Sequence, residues 1–166
     1  MQPGKLTTPL DHEPEIQQQV ARIVAYYQIL EGELGTLLGA LLRIEGRWAR
    51  RILLEMSHKR RREFTLEVLE DVMLETPLKQ NLKKLISKDA KAMTKLRNSY
   101  AHHIYGAGDK PGQLRLINPI NHENRVITMN GMKGDADKFA VMLTRFQELL
   151  LDLHRNEDRA LKPKRH

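Results

Sequence analysis

The sequence predicts an all-α protein, an antiparallel helical bundle of four to five helices with a small β-hairpin inserted before the last helix. Apolar residues recur every three or four positions over most of the chain, turn signals separate these segments, and one stretch is β-rich. A length of 166 residues suits one domain. We expect a flexible tail over 1–10, one helical domain over 11–161 with the hairpin at about 113–130, and a basic tail over 162–166.

The first helix is expected to begin with Asp11 as its N-cap and to run to about Leu41. Its apolar period continues through Gly32, Gly35 and Gly39, although each glycine costs about 0.5–1 kcal/mol relative to alanine in a helix interior. We therefore expect these glycines to let another helix approach closely.

Two further helical stretches follow. The second covers about 46–74, and Ser57 can cap a new helix inside it. The third begins at Thr76-Pro77 and runs to about Tyr105, where Gly106 and Gly108 end it.

The character of the sequence then changes. Residues 113–129 contain two short aliphatic and β-branched segments around the turn-rich stretch NPINHEN, which predicts a hairpin ended by Gly131 and Gly134. Asp135 is expected to cap the last helix, whose apolar residues from Phe139 onward recur at helical spacing.

The positive charge is concentrated in blocks. The chain has a net charge of +7, while residues 43–62 and 79–97 each carry +6 and the segment between them carries −5. Such blocks favour a phosphate-rich partner. The alternative is a basic, solvated surface without a specific partner.

Several classes of protein and site are unexpected from composition. The chain has no cysteine, which excludes disulfides, thiolate metal sites and cysteine nucleophiles and favours a cytoplasmic location. The N-terminal segment lacks the apolar core of a secretory signal, and no apolar run is long enough to cross a bilayer, so no membrane partner is expected. No metal-ligand spacing or glycine-rich phosphate loop is present, so we expect neither metal nor cofactor.

A polar row is expected along the third helix, facing away from the core. At steps of three and four residues it contains Lys84, Lys88, Lys91, Lys95, Asn98, His102 and Tyr105. The lysines could bind an RNA backbone, or they could form an ordinary solvated helix face.

The row ends in residues suited to acid–base chemistry. His102 and His103 fall in the last predicted turn, and imidazole takes up and releases protons near neutral pH. Arg97 can grip a phosphate, although a helical rotation of about 140° would put it on a different row from His102. RNA supplies its own nucleophile, the 2′-hydroxyl, and a two-fold dimer would supply a second histidine as the acid.

The stretch RNSYAH over residues 97–102 resembles the R-x4-H motif, with Asn after the Arg, of the HEPN domain family. Its setting is also similar, with a long helical pair, the motif at the end of a late helix, and a final helix. The family comprises all-α bundles that commonly dimerise, and many members are metal-independent RNases of toxin–antitoxin, phage-defence and other RNA-processing systems.

The resemblance implies a dimeric, metal-independent endoribonuclease, a toxin or defence effector, with a composite cleft built by two protomers. Arg97 and His102 would be the catalytic pair, Asn98 would orient or bind, and Tyr105 would match the tyrosine that follows the histidine in some members. His103 is the alternative histidine, because R-x5-H also fits the looser family pattern. The implied partners are RNA, a second copy of the chain, and an antitoxin or other partner protein.

Two alternatives stay open: a non-catalytic HEPN-like module that binds RNA or a partner protein, and a plain helical interaction protein in which RNSYAH is structural. A second basic region, His58–Arg62 with the preceding arginines from Arg43 onward, is an RNA track or a solvated face balanced by nearby acidic residues. Trp48 within it is expected to be a core or interface anchor more often than a base-stacking platform.

Overall fold

A computed structural model describes residues 13–110 and 113–155, together with the backbone of 162–163. The helices are α1 (Pro14–Leu42), α2 (Gly46–Leu54), α3 (His58–Asp71), α4 (Thr76–Lys84), α5 (Ala90–Ala101) and α6 (Met129–Arg155). The strands are β1 (Val72–Met73), β2 (Ile104–Ala107), β3 (Gln113–Ile117), β4 (Asn124–Thr128) and β5 (Lys162–Pro163). A π-helical segment, Leu85–Asp89, joins α4 and α5 into one continuous helix. The described part of the chain is therefore mostly helical, with five helices on this count and a small sheet.

Helix α1 organises the core, because α2, α3, α5 and α6 all pack against it. Tyr27, Leu30 and Leu34 on α1 and Phe139 and Phe146 on α6 are among the buried residues of one continuous apolar cluster. Burying a large apolar side chain contributes about 1.5–3 kcal/mol relative to leaving it exposed. The helical period seen in the sequence thus identifies the face of α1 that holds the domain together.

Two of the three α1 glycines serve the close approach of α2. A side chain on Gly35 would collide with Arg50, and a Cβ on Gly39 would lie 3.1 Å from both Gly46 Cα and the Ile44 carbonyl oxygen. Gly32 has no such neighbour. The expected close approach is confirmed at the two glycines nearest the α1–α2 turn.

The second predicted stretch forms two helices that are separated at residues 55–57. Ser57 caps the later one as expected, because its Oγ accepts a hydrogen bond from the Arg60 N–H at 3.3 Å. This cap satisfies one of the free N–H groups in the first turn of α3.

The third predicted helix ends earlier than its sequence suggested. It stops at Ala101, and His102 leaves the helix with φ −121° and ψ 3°. The chain then enters β2, so the placement of Tyr105 on the helical row was wrong. The preceding π-helical segment also widens one turn, which shifts the rotational register between Lys84 and the residues after Asp89.

The β-rich region is a three-stranded antiparallel sheet in the order β2-β3-β4. The β3–β4 hairpin agrees with the prediction, and β2 adds a strand that pairs Tyr105 with Leu116. β2 was not expected, because its Ile-Tyr-Gly-Ala stretch looks like the end of a helix. Leu114, Leu116 and Ile127 are buried in the core cluster, so one face of the sheet packs onto the helices.

The last helix starts before the predicted cap. α6 begins at Met129 and contains both Gly131 and Gly134, and Thr128 Oγ accepts the Gly131 N–H at 3.1 Å. Asp135 therefore lies inside the helix, not at its N-cap, and it is only 4% exposed.

The predicted tail over 1–10 lies outside the described residues. Of the predicted basic tail, only the backbone of Lys162–Pro163 is described, and it pairs antiparallel with Val72–Met73. Across the described ranges, no helix is long and apolar enough to span a membrane.

Candidate functional site

The candidate site forms where α5 ends and its chain turns into β2. His102 is the C-cap residue of α5, and its N–H donates to the Asn98 carbonyl oxygen at 3.1 Å. Because the backbone departs from helical geometry at this residue, the imidazole is not confined to the helical row that the sequence predicted.

The structure brings Arg97, Asn98 and His102 together. Arg97 Nη1 donates to Asn98 Oδ1 at 3.0 Å and lies 3.3 Å from His102 Nε2. The expected separation of Arg97 and His102 on different rows was wrong, because it assumed that the helix continues through His102. A guanidinium and an imidazole in contact can act together on a phosphate group, because the guanidinium neutralises its charge and the imidazole exchanges a proton.

The guanidinium of Arg97 is held in place by the aromatic ring of Tyr27 on α1. Its Cζ lies 4.9 Å from the ring centroid of Tyr27, which is fully buried. A cation over a tyrosine face is attracted by the ring quadrupole. Burial raises the pKa of Tyr27 to about 12, so the ring stays neutral, and its hydroxyl lies 3.4 Å from Thr94 Oγ1. The sequence carries no local signal for this contact, because Tyr27 and Arg97 are far apart in the chain.

A cleft of about 820 Å³ opens beside this group. One wall comes from α5, and the other comes from the β3–β4 connection and the start of β4. Its cationic and histidine lining consists of Arg62, Lys91, Lys95, His102, His103 and Arg125. Arg62 Nη1 also donates to Thr94 Oγ1 at 2.9 Å, which anchors α3 at the cleft.

The predicted lysine row is divided by the structure. All four lysines are exposed, as expected, but only Lys91 and Lys95 line the cleft. Lys84 ends α4 and Lys88 lies in the π-helical segment, so both precede α5.

The other predicted site residues differ in their surroundings. His103 lines the cleft beside His102, so both histidine registers stay open. His103 Nδ1 is buried and has no hydrogen-bond partner within the described ranges. Tyr105 does not line the cleft: its hydroxyl donates to the Tyr100 carbonyl oxygen, and burial raises its pKa to about 12. It is therefore poorly suited to proton transfer near neutral pH.

A buried carboxylate ties the motif to the sheet and to α6. Asp135 Oδ2 accepts the Tyr100 hydroxyl at 2.7 Å and lies 3.4 Å from Arg125, while Lys138 donates to Oδ1 at 2.8 Å. Burial opposes ionisation of Asp135, but the hydrogen bonds from Lys138 and Tyr100 outweigh it and hold its pKa below the usual range. No local pattern pointed to this contact, because Tyr100 and Asp135 are 35 positions apart.

Within the residues that the structure describes, no cluster of three or more His, Asp or Glu side chains could hold a metal ion. Comparison of the chain with protein-family models, curated proteins and solved structures finds no match. The resemblance to the HEPN family therefore rests on the residues of RNSYAH and their setting.

Proposed function

We propose that this protein is a metal-independent endoribonuclease of HEPN type that acts on RNA as a homodimer. The observation that carries the proposal is the 3.3 Å contact between Arg97 Nη1 and His102 Nε2 at the edge of a basic cleft. This contact joins the two residues that the family resemblance implies, and it could not be inferred from helical spacing.

The proposed reaction uses the RNA's own 2′-hydroxyl. His102 of one protomer removes the 2′-hydroxyl proton, the 2′-oxygen bonds to the phosphorus, and the bond from phosphorus to the 5′-oxygen breaks. The leaving 5′-oxygen takes a proton from the second histidine, giving a 2′,3′-cyclic phosphate and a 5′-hydroxyl. Arg97 neutralises charge on the phosphate as it develops, and Asn98 holds the Arg97 guanidinium in position.

The dimer supplies what one chain lacks. The reaction needs a base and an acid on opposite sides of one phosphate, and each chain has one histidine in contact with Arg97. His102 is exposed at the cleft, so a two-fold partner can approach it. By the family resemblance, the protein would be a toxin or defence effector, and an antitoxin or other partner protein would hold it in check.

RNA cleavage in EDTA tests this function. We expect the wild-type chain to cleave RNA, and His102→Ala and Arg97→Ala to lower the rate by about 10²–10⁴-fold, since they remove proton transfer and charge neutralisation. His154→Ala, in the exposed part of α6, is the matched control and should cleave like wild type. Equal cleavage by wild type and His102→Ala would assign the activity to a contaminant and contradict the proposal.

Subunit mixing tests the composite site. Because one cleft needs His102 from both copies, mixing wild-type chains with an excess of His102→Ala chains should inactivate the mixed dimers, so that activity falls roughly as the square of the wild-type fraction. Activity that falls only in proportion to the wild-type fraction, or a strictly monomeric protein by light scattering, would contradict the composite site.

A second candidate function, RNA binding without cleavage, has its own support. The guanidinium of Arg97 already contacts Tyr27, Asn98 and His102 within its own chain, and its buried Nε has no hydrogen-bond partner among the described residues. An arginine held this firmly could serve to stabilise the end of α5. RNA affinity with a steep salt dependence, but no cleavage by the wild-type dimer, would favour this function.

A further inference from the structure

The two walls of the cleft have different origins, and the sheet-side wall has no assigned role. It consists of the β3–β4 connection, residues 118–123, with Arg125 at the start of β4. The cleft volume of about 820 Å³ lies within the range of about 300–1,000 Å³ that is typical of small-ligand sites. A site of this size suits a short unpaired stretch of RNA, whereas double-stranded RNA is recognised over on the order of 16 base pairs.

The 118–123 connection is held in shape by its own hydrogen bonds. Asn118 Oδ1 accepts the Ile120 N–H at 2.9 Å, and Asn121 Oδ1 accepts the Glu123 N–H at 3.1 Å. The Asn118 N–H donates to the Glu123 carbonyl oxygen at 2.9 Å and closes the loop. A loop already fixed in this way loses little conformational entropy when a ligand binds.

Ile120 stands at the tip of this loop with 88% of its surface exposed. A single exposed apolar residue is ordinary by itself. Ile120, however, lines the same cleft as His102 and His103. Because so little of its side chain is buried in its own chain, packing within the fold does not explain an apolar residue at this position. In this position it offers an apolar surface for the face of a base or a ribose.

Arg125 gives the same wall a positive charge in a fixed position. Its Nη2 lies 3.4 Å from Asp135 Oδ2, and its side chain is half exposed. A guanidinium has five N–H donors, so this contact leaves others for a phosphate. Asp135 also binds Tyr100 of the RNSYAH segment, so one buried carboxylate fixes Arg125 relative to the helix that holds Arg97 and His102.

The charges that face each other across the cleft match an anionic chain. Lys91 and Lys95 stand on α5, Arg62 on α3 and Arg125 on β4, while Glu123 is the acidic residue among those lining it. Cations on both sides suit a phosphate backbone that lies between them.

We propose that the 118–123 loop and Arg125 bind the unpaired nucleotides next to the scissile phosphate. Ile120 packs on a base, and Arg125 binds the neighbouring phosphate. The inference rests on the proposed function, since it assumes that the cleft takes RNA.

Binding is measured in a His102→Ala background, so that cleavage does not obscure it, with a labelled unpaired RNA of about 12 nucleotides. Ile120→Ala should raise Kd about threefold through lost apolar contact. Ile120→Glu should raise it about tenfold, because a carboxylate then faces the phosphates. The matched control is Leu151→Glu, an exposed residue of α6 about 33 Å along the helix axis from Met129. It should bind like the parent.

The outcomes separate the two proposals. Unchanged affinity for Ile120→Glu, in a chain that binds and cleaves RNA, would overturn the role of the loop and leave the proposed function intact. A wild-type chain that neither binds nor cleaves RNA would overturn both. Displacement of RNA by polyglutamate as readily as by unlabelled RNA would show that the cleft attracts any acidic polymer, and it would also overturn the proposal.

A cleavage assay in the otherwise unaltered chain completes the test. If the loop binds substrate without taking part in proton transfer, Ile120→Ala should raise KM about threefold and change kcat by less than about twofold. A fall in kcat with unchanged KM would contradict a role in substrate binding.

Discussion

The two basic regions of the chain carry the same charge and differ in how it is used. Residues 43–62 and 79–97 each have a net charge of +6. In the first region, Arg61 pairs with Glu31, whose side chain is 9% exposed, and both nitrogens of the Arg60 fork bind Glu67 at 2.6 and 3.1 Å. In the second region, Lys79 and Lys83 pair with Glu70. Its other lysines are exposed and have no carboxylate partner within the described part of the chain; they are Lys84, Lys88, Lys91 and Lys95.

This difference decides which cations can bind phosphate. A cation paired with a carboxylate of its own contributes little field to its surroundings, whereas an unpaired surface lysine attracts counterions that RNA can displace. Arg125 differs from the paired arginines of the first region, because it shares Asp135 with Lys138 and the group keeps a net positive charge. The interpretation of α3 as a solvated face balanced by acidic residues is supported by the pairs of Arg60 with Glu67 and Lys59 with Glu63. Arg62 is the exception, since it turns toward Thr94 and the cleft.

Trp48 lies in the first of the two basic regions. It is 51% exposed, with the Arg47 guanidinium 5.5 Å from its ring, so it is not a core residue. The expectation of a core anchor was wrong, and its use as an interface anchor stays a prediction.

Removing the partner of Arg61 should have the largest effect on stability. Glu31 accepts Arg61 and lies 3.1 Å from His58 Nδ1, so Glu31→Gln leaves a poorly exposed guanidinium without its counter-charge. We expect a loss of about 3 kcal/mol in the free energy of unfolding, measured by urea denaturation. Glu33→Gln, which alters an exposed contact with Gln147, should change it by less than about 0.5 kcal/mol. A loss below about 1 kcal/mol for Glu31→Gln would mean that this pair does not stabilise the fold.

Asp135 should give a smaller loss that depends on pH. Asp135→Asn weakens its bonds with Tyr100, Lys138 and Arg125 and should lower the free energy of unfolding by about 2 kcal/mol at neutral pH. The folded pKa lies below the ordinary value of 3.8, so ionised Asp135 stabilises the fold above that value, and this contribution disappears as the pH falls through the folded pKa. The difference between wild type and Asp135→Asn should therefore narrow on acidification from about pH 5 to about pH 2. A difference that stays constant over this range would contradict the shift.

The free lysines should show their effect in RNA affinity and not in stability. In the His102→Ala background, Lys91→Gln with Lys95→Gln should weaken RNA binding about tenfold at low salt. The slope of log K against log salt should fall by about 1.4, at about 0.7 for each phosphate contact of a single strand. Lys59→Gln with Arg60→Gln removes the same charge from paired positions and should have little effect. Equal losses of RNA affinity from both double variants would show that paired and unpaired cations contribute equally to RNA binding.

The sequence was a good guide wherever structure depends on neighbours along the chain. The period of α1, the Ser57 cap, the close approach at Gly35 and Gly39, and the β3–β4 hairpin are all local in this sense. The errors lie where a local signal has two meanings. Gly106 was expected to end the helix but lies in β2, and Asp135 resembles a cap although its carboxylate is buried against Tyr100.

The residues of the candidate site could be predicted from the sequence, whereas their geometry could not. The stretch RNSYAH identified Arg97, Asn98 and His102, but uniform helical rotation kept Arg97 apart from His102. The contact arises because the helix stops at Ala101. The cleft wall with Ile120 and Arg125 had no signal at all, because it depends on how a distant hairpin packs.

By itself, the sequence determined the helical periods, the caps and the presence of two equal blocks of positive charge, since these follow from residue types at fixed spacings. The tertiary structure decided which cations stay unpaired, because Glu31 reaches Arg61 only when α1 and α3 pack together. It also decided that the lysines of α5 face a second wall, because Asp135 binds both Tyr100 and Arg125 across segments far apart in the chain. The chemistry of each side chain follows from its residue type. The local electric field and the shape of a cleft depend on partners that only folding brings within a few ångströms.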